Sequence, residues 1–454
     1  PRTFSIAAAQ KLQDVQDTVN AKLDKPLSQV ETAILGPMQT KLDLRVASAF
    51  YGSFSELNTM QQEVCTPLLE GKNIILCSGT GSGKTEAVLT PLISRYWRES
   101  VKNHTTFLLY LVPTQALAND LERRLYLPLE QLGLKVSIRH GDHDSLKKSL
   151  KPHILITTPE SLEVLMLRHD KVLNTLKAMI IDEVHLFYNT QRGFQVSVLL
   201  KRMQKHLQMP LQWVALSATA SQLSDIKDFL VGSEQLVELF SYATHRLLDA
   251  HICYLANMQD FSVFMKHFIQ KKPIKLLIFT NTRQEVETLA GFLREEKDYR
   301  PFVMVHYSSL SPEVRQETEH KFGTLRTAIC IATSTLELGI DIGDIDAVIL
   351  WGIPHSLESF LQRIGRGNRK LKKTNVVCIV PPDTPHPLRD ACYFLTLVNS
   401  SQTGKFFHSR PYEIFGALAQ QCLSYIASSQ GRFTRMAELM ELFSHFSYLD
   451  RSVV

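Results

Sequence analysis

Between residues 51 and 240, short runs of consecutive apolar residues alternate with longer stretches in which apolar residues recur every three or four positions. The runs predict strands at 73–77, 107–112, 135–138, 153–157, 178–182 and 212–216. Several are almost continuous in Ile, Leu and Val, the pattern of parallel strands covered on both faces. The periodic stretches between them predict helices. The alternation restarts after residue 250, with predicted strands at 275–280, 302–306, 327–332, 347–351 and 375–380. The expected fold class is α/β: two tandem, doubly wound parallel-sheet lobes at 51–245 and 246–400, whose ligands gather beyond the carboxyl ends of the strands.

The flanks read differently. Residues 1–50 are expected to be a helical appendage packed on the first lobe: Leu12, Val15, Val19 and Leu23 recur at helical spacing before Pro26, and Gly36-Pro37 marks a second break. After Pro381-Pro382 the predicted elements are helices, at 388–399 and 411–446, the second with Phe415, Leu418, Ala419, Cys422 and Ile426 on one face. Residues 401–454 are expected to open a third domain that is cut short, and Pro1 in place of Met reads as the start of an excerpt or processed product.

Composition narrows the class only a little. Hydrophobic residues at 44% and charged residues at 21% are ordinary globular values. A net charge of +5 suits a polyanionic partner without requiring one. The seven cysteines are scattered and include no C-x-x-C pair, which argues against a disulfide framework, a zinc ribbon or an iron–sulfur cluster and for a reducing compartment. No apolar run approaches the roughly 18 residues of a membrane span, and Ile6–Ala9 is too short for a secretory leader. A cytoplasmic protein is expected, or a nuclear one in a eukaryote.

Candidate chemistry lies at the predicted strand ends. Ser78-Gly79-Thr80-Gly81-Ser82-Gly83-Lys84-Thr85 follows a strand and opens a helix, the context of a phosphate-binding loop. Its glycines let backbone N–H groups approach phosphate, and the helix amino terminus favours negative charge. Lys84 is expected to reach the β/γ-phosphates of ATP and Thr85 to ligate Mg²⁺. Asp182-Glu183 ends another strand; paired acids there call for a cation, so Asp182 is expected to hold Mg²⁺ largely through water and Glu183 to orient or deprotonate the attacking water.

These residues resemble the motor core of superfamily 2 helicases of the DEAD/DEAH-box type, and further matches follow in that family's order. Gln61, ten residues before Gly71, resembles the adenine-reading Gln, with Phe54 as a stacking aromatic; spacing alone leaves Gln62 open. Pro113-Thr114-Gln115-Ala116-Leu117 resembles motif Ia and Thr158-Pro159-Glu160 motif Ib, which in the family lie along the nucleic-acid backbone. Ser217-Ala218-Thr219 resembles motif III, which couples hydrolysis to strand movement, with His185 of the Asp182-Glu183-Val184-His185 box as its contact. Ile278-Phe279-Thr280-Asn281-Thr282-Arg283 resembles motif IV, with Thr280, Asn281, Thr282 and Arg283 as the strand contacts it implies, and the run 332–341 resembles motif V. There the resemblance puts Thr333 and Ser334 on the strand and Gly339 and Asp341 near the nucleotide.

Gln362-Arg363-Ile364-Gly365-Arg366-Gly367-Asn368-Arg369 resembles motif VI. The resemblance makes Arg366 and Arg369 the fingers that meet the γ-phosphate when two RecA-like lobes close, with Gln362 and Arg363 in support; Gly367-Asn368 departs from the family's usual small residue and Gly. The stretch 306–322, the run 334–341 and Arg410-Pro411-Tyr412-Glu413-Ile414 resemble the large helicase-related (Lhr) group, the last of these marking the opening of a winged-helix domain. Such a chain is expected to hydrolyse ATP and move 3′ to 5′ on single-stranded DNA. The alternatives are an RNA helicase acting by local duplex separation, or a nucleotide-gated clamp. His140-Gly141-Asp142-His143-Asp144 reads as a polar turn rather than a metal site, and Trp97, Trp213 and Trp351 read as core.

Overall fold

The computed structural model describes residues 42–52, 56–79, 81–140, 143–144, 151–207, 209–218, 223–242, 247–269, 273–337, 344–367, 373–403, 415–429, 434–444 and 446. Residues 1–41 lie outside these, as do the site candidates Phe54, Thr80, Thr219, Gly339, Asp341 and Arg369 and the segment 404–414. Helix α1 (Leu44–Tyr51) opens the described chain under an Asp43 cap and buries Val46, Ala47, Phe50 and Tyr51 in the first lobe. Helix α2 (Thr59–Glu70) follows and ends on Gly71 in the left-handed conformation.

The first sheet contains β1 (Ile74–Ser78), β2 (Leu108–Leu111), β3 (Val136–His140), β4 (His143–Asp144), β5 (Ile154–Thr157), β6 (Ala178–Ile181), β7 (Gln212–Ser217) and β8 (Glu238–Tyr242). Their spatial order is β4-β3-β5-β2-β6-β7-β1-β8. Every pairing is parallel except β3 with β4. Helices α3 (Lys84–Asn103), α4 (Gln115–Gln131), α5 (Pro159–Leu167), α6 (Gln191–His206) and α7 (Leu223–Val231) cover its two faces. Strands β1, β2, β5, β6 and β7 are buried at every position, which is why they read as unbroken apolar runs.

The second sheet is wholly parallel, in the order β11-β12-β10-β13-β14-β9. It contains β9 (Leu247–Tyr254), β10 (Lys275–Phe279), β11 (Val303–His306), β12 (Ala328–Ala332), β13 (Ala347–Trp351) and β14 (Lys373–Val380). Around it lie α8 (Met258–Ile269), α9 (Arg283–Glu295), α10 (Pro312–Thr324), α11 (Leu357–Ile364) and α12 (Pro387–Thr403). Strands β8 and β9 were not foreseen. Both sit at a sheet edge, and β8 alternates half-buried and exposed positions, so neither carries a continuous apolar run. Trp97, Trp213 and Trp351 are buried in the cores. No helix among the described residues is long and apolar enough to cross a membrane.

The last two helices, α13 (Phe415–Ser428) and α14 (Met436–Phe443), pack back on the first lobe. Leu418, Leu442, Phe443 and Phe446 close on Phe194 and Val198 of α6. Arg202 donates from its two terminal nitrogens to Ser424 Oγ (3.0 Å) and Ser428 Oγ (3.2 Å), and Gln421 donates to Glu163 Oε1 at 2.9 Å. This corrects the predicted face of α13. Phe415 and Ile426 are 59% and 46% exposed, whereas Ala417, Leu418, Gln421 and Ser424 are buried. The polar residues take the inner face because buried Glu163 and Arg202 supply their hydrogen bonds.

Candidate nucleotide site and strand-binding surface

The phosphate loop runs from β1 into α3. Gly81 and Gly83 have φ of +72° and +83°, a backbone conformation that favours glycine, and a Cβ on Gly83 would stand 2.7 Å from Gln61 Nε2 and displace that amide. Gln61 lies against the loop because Asn58 anchors it: the Gln61 N–H donates to Asn58 Oδ1 (2.9 Å) and Gln61 Oε1 accepts from the Asn58 N–H (3.0 Å). The same Asn58 donates from Nδ2 to Ser82 O at 3.0 Å. Gln62 instead donates to Leu57 O at 2.8 Å. Of the two glutamines, Gln61 is the one at the loop.

Lys84 is buried, and its Nζ donates to Ser217 O at 3.0 Å. Thr85 follows on α3. Two strands away, Asp182 and Glu183 leave the end of β6. Asp182 Oδ2 accepts from Tyr110 Oη at 2.9 Å, and Oδ1 from the Glu183 N–H at 2.9 Å. Glu183 adopts φ +48°, a left-handed conformation that costs a non-glycine residue about 1–3 kcal/mol. The turn brings its carboxylate to His185, with Oε2 3.5 Å from Nδ1. Burial pushes the Asp182 carboxyl up, to about 6; Glu183 beside it adds to the rise and Lys84 opposes it. Glu183 Oε2 and Ser82 Oγ are buried without a hydrogen-bond partner. Two adjacent carboxylates facing one ammonium, with an orphaned oxygen, suit a hydrated divalent cation next to phosphate.

His185 joins the parts. Its Nδ1 accepts from the Ala218 N–H at 3.3 Å and lies 3.4 Å from Ser217 Oγ. On its other side, the Gln362 side-chain amide stands 3.1 Å from Nε2. His185 and Gln362 are both buried. One imidazole therefore touches the acidic box, motif III and, across the lobe boundary, motif VI.

On the second lobe, Arg363 is 1% exposed and pairs through Nε with Glu337 Oε1 at 2.7 Å. Its Nη1 donates to Asn281 Oδ1 at 3.1 Å, and its guanidinium lies 5.4 Å from the Phe279 ring centroid. Arg366 is buried and donates from Nε and Nη2 to Glu337 O, at 3.1 and 2.6 Å. Ser359 Oγ completes the cluster with a 2.9 Å bond to Glu337 Oε1.

The strand candidates separate into presented and internal residues. Thr114 caps α4, accepting from the Leu117 N–H at 3.3 Å, and Gln115 is exposed. Pro113, Thr158 and Pro159 are buried, and Glu160 is exposed. Thr282 caps α9 in a reciprocal arrangement with Glu285, and Arg283 is exposed, 5.0 Å from the Tyr307 ring centroid. Thr280 is fully buried with its hydroxyl on Thr282 O (3.0 Å), and Asn281 donates to Ile353 O (2.8 Å). Both side chains are taken up within the lobe, Thr280 by its own loop and Asn281 by Ile353 O and Arg363. Thr333 is half-buried and Ser334 exposed. A cleft of about 640 Å³ separates Gln115, Asn119 and Arg123 of α4 from Arg315 and His320 of α10.

Three residues that contact the candidate site escaped the sequence reading, Asn58, Tyr110 and Arg192, and Glu337 was read only as part of motif V. Tyr110 lies inside an apolar strand and reads as packing. Arg192 donates from Nε to Glu160 Oε1 (2.7 Å) and from Nη2 to Pro113 O (2.9 Å). Burial alone would raise the Glu160 carboxyl, but its hydrogen bonds with Arg192 hold it below the usual carboxylate range.

The DEAD/DEAH box helicase family matches residues 58–229, and the helicase conserved C-terminal domain matches residues 259–370. The ATP-dependent helicase Lhr-Core of Methanocaldococcus jannaschii is 33% identical over 377 residues, 75% of this chain. The chain belongs to the superfamily 2 helicases. Within them it groups with the Lhr members. The Lhr helicase/uracil glycosylase of Escherichia coli is 28% identical over 457 residues, covering 83% of this chain and 29% of that protein. The solved structure of Mycobacterium smegmatis helicase Lhr bound to ssDNA and AMP-PNP superposes with a TM-score of 0.77 at 26% identity, over 90% of this chain and 56% of that one. The chain spans 44% of the length of the Methanocaldococcus relative. The two matched regions take in β1–β7 of the first sheet and β10–β13 of the second, so both lobes of this chain are helicase lobes.

Proposed function

We propose that this chain is an ATP-driven motor that moves along single-stranded DNA, 3′ to 5′, by hydrolysing ATP between its two lobes. The observation that carries the reading is the His185 junction, where the acidic box, motif III and Gln362 meet on one buried ring. In this reading the loop amides and Lys84 hold the phosphates, with Gln61 beside the base. Thr85 and Asp182 would hold Mg²⁺, which supplies charge neutralisation on the β- and γ-oxygens when bound. Glu183 takes the proton of the attacking water, and Arg366 offsets charge developing on the transferred phosphoryl group.

Lys84 and Arg366 rest on the carbonyls of Ser217 and Glu337. Each must leave that carbonyl to reach phosphate, and the two carbonyls belong to motifs III and V. Nucleotide binding is thereby tied to a rearrangement of motifs III and V, and the strand rests on the surface those motifs help to form. Thr114, Gln115, Thr282, Arg283 and Ser334 offer hydroxyl, amide and guanidinium donors, which hold phosphodiesters without reading bases. The Lhr structure bound to ssDNA and AMP-PNP supports this reading over one built on RNA.

Phosphate release measured with no nucleic acid, single-stranded DNA, duplex DNA and RNA tests it. Strong stimulation by single-stranded DNA is expected. Equal rates in all four would leave a binding clamp, and stimulation by RNA alone would leave an RNA helicase. Unwinding of duplexes with a 3′ tail but not a 5′ tail checks the polarity.

Two further outcomes follow from the acidic box. Tyr110 is fully buried, so Tyr110→Phe removes one hydroxyl from Asp182 and little packing. The Mg²⁺ concentration for half-maximal hydrolysis is expected to rise about 10–100-fold, the usual cost of losing a group that orients a metal ligand. An unchanged Mg²⁺ requirement would remove Tyr110 from the site.

The raised Asp182 carboxyl also predicts a pH effect. The folded protein keeps a proton near pH 6 that an unfolded Asp releases at about 4. Folded protein without cation therefore loses stability as pH rises from about 4 to 6. Bound cation displaces that proton. Calorimetry in buffers of different ionisation enthalpy should detect proton release on Mg²⁺ binding at pH 5.5 and almost none at pH 8.

A further inference from the structure

The chain from Asp182 to Gly193 is a single tight unit. After the strained Glu183 comes a 3₁₀ turn, Val184–Leu186, then buried Phe187 and Asn189 at φ +54°. Thr190 caps α6, donating from Oγ1 to Phe187 O (2.8 Å) and accepting from the Gly193 N–H (3.0 Å). A Cβ on Gly193 would fall 1.7 Å from Phe187 O, so the helix start and the turn after the acidic box are in direct backbone contact.

Arg192 is the residue this unit extends toward the strand surface. Its guanidinium lies 5.5 Å from the Phe187 ring centroid. From there Nε and Nη2 hold both Glu160 oxygens, at 2.7 and 3.3 Å, while Nη2 also donates to Pro113 O at 2.9 Å. Pro113 precedes the cap of α4, and Glu160 lies in the first turn of α5. One side chain thus ties the helix starts of motifs Ia and Ib to the segment that carries Asp182 and Glu183. It also neutralises a carboxylate that would otherwise repel a phosphodiester at motif Ib. Lysine is no substitute, since an ammonium lacks the fork that spans Glu160 and Pro113 together.

We propose that Arg192 is a positioning residue that transmits strand occupancy to the hydrolytic site, rather than a group that grips the strand. The proposal rests on the motor reading above. It deepens that reading by naming the link between the two sites.

The test is steady-state ATP hydrolysis by wild type, Arg192→Gln, Arg192→Lys and Glu160→Gln across a single-stranded DNA titration, with strand affinity read separately by fluorescence anisotropy. Wild type establishes the motor reading first: if its hydrolysis ignores DNA, that reading fails whatever Arg192 does. Given stimulation in wild type, Arg192→Gln should keep its basal rate within about twofold and lose about tenfold in stimulated kcat, the scale of a broken coupling element. Strand affinity should change by less than about threefold, and Arg192→Lys should fail to restore the stimulated rate. Glu160→Gln, which removes the charge and keeps the shape, should lower stimulated kcat by less than Arg192→Gln does.

A phosphate contact would behave oppositely. The half-stimulating DNA concentration would rise with the maximal rate intact, and the salt dependence of binding would weaken by about one phosphate. That result overturns the proposal, as does full stimulation in Arg192→Gln. Thermal melting of each variant separates lost coupling from lost folding, and a fold-preserving Arg192→Lys with wild-type stimulation also overturns it.

Discussion

Glu183→Gln should lower strand-stimulated ATP hydrolysis by about 10²–10⁴-fold, the range for loss of a positioned general base, while ATP still binds. The exchange is nearly isosteric, and Glu183 makes no hydrogen bond through Oε2 that folding would miss. Its backbone N–H, which holds Asp182 Oδ1, is untouched. The substitution thus removes proton acceptance without moving the acidic turn. The checks are single-turnover phosphate release and nucleotide affinity measured side by side. A rate within threefold of wild type would leave the attacking water activated by another group.

Arg366→Ala should be at least as damaging, about 10³-fold or more in stimulated turnover, by analogy with removal of other arginine fingers. Its resting position gives the prediction a second part. Arg366 donates twice to Glu337 O, and Glu337 also neutralises Arg363. Alanine frees the carbonyl but leaves the Arg363–Glu337 pair, so the second lobe should still fold. Arg363→Ala is different in kind. It strands a buried carboxylate, a change that typically costs 3–5 kcal/mol, and should lower stability before it says anything about catalysis. Inactive but normally folded Arg366→Ala beside unstable Arg363→Ala is the expected contrast, read from turnover and thermal melting together.

Much of the frame was legible because the covered strands leave a plain signature. Ile74–Ser78 and Ala178–Ile181 are buried at every position, and the turns that follow them carry Lys84 and Asp182. Edge strands were missed where one side meets solvent, as in Glu238–Tyr242. The face of the helix at 415–428 was misread because Gln421 and Ser424 point inward to Glu163 and Arg202. A polar residue with a partner distant in sequence looks the same in the chain as one facing water. The positioning residues share that difficulty. Tyr110 meets Asp182 across 72 positions and Arg192 meets Pro113 across 79, and local spacing encodes neither pairing. Motif IV shows the converse: Thr280 and Asn281 fit the strand pattern in sequence, yet their side chains turn to the interior.

Everything proposed for the motor requires the terminal phosphate of ATP to be held from both lobes at once. A structure of the chain with single-stranded DNA and a non-hydrolysable ATP analogue tests this most directly. Lys84 Nζ released from Ser217 O, Arg366 released from Glu337 O, and both within hydrogen-bond distance of the γ-phosphate is the expected result. An analogue seated on the phosphate loop with Arg366 still on Glu337 O, and nothing from the second lobe near the phosphate, would contradict it.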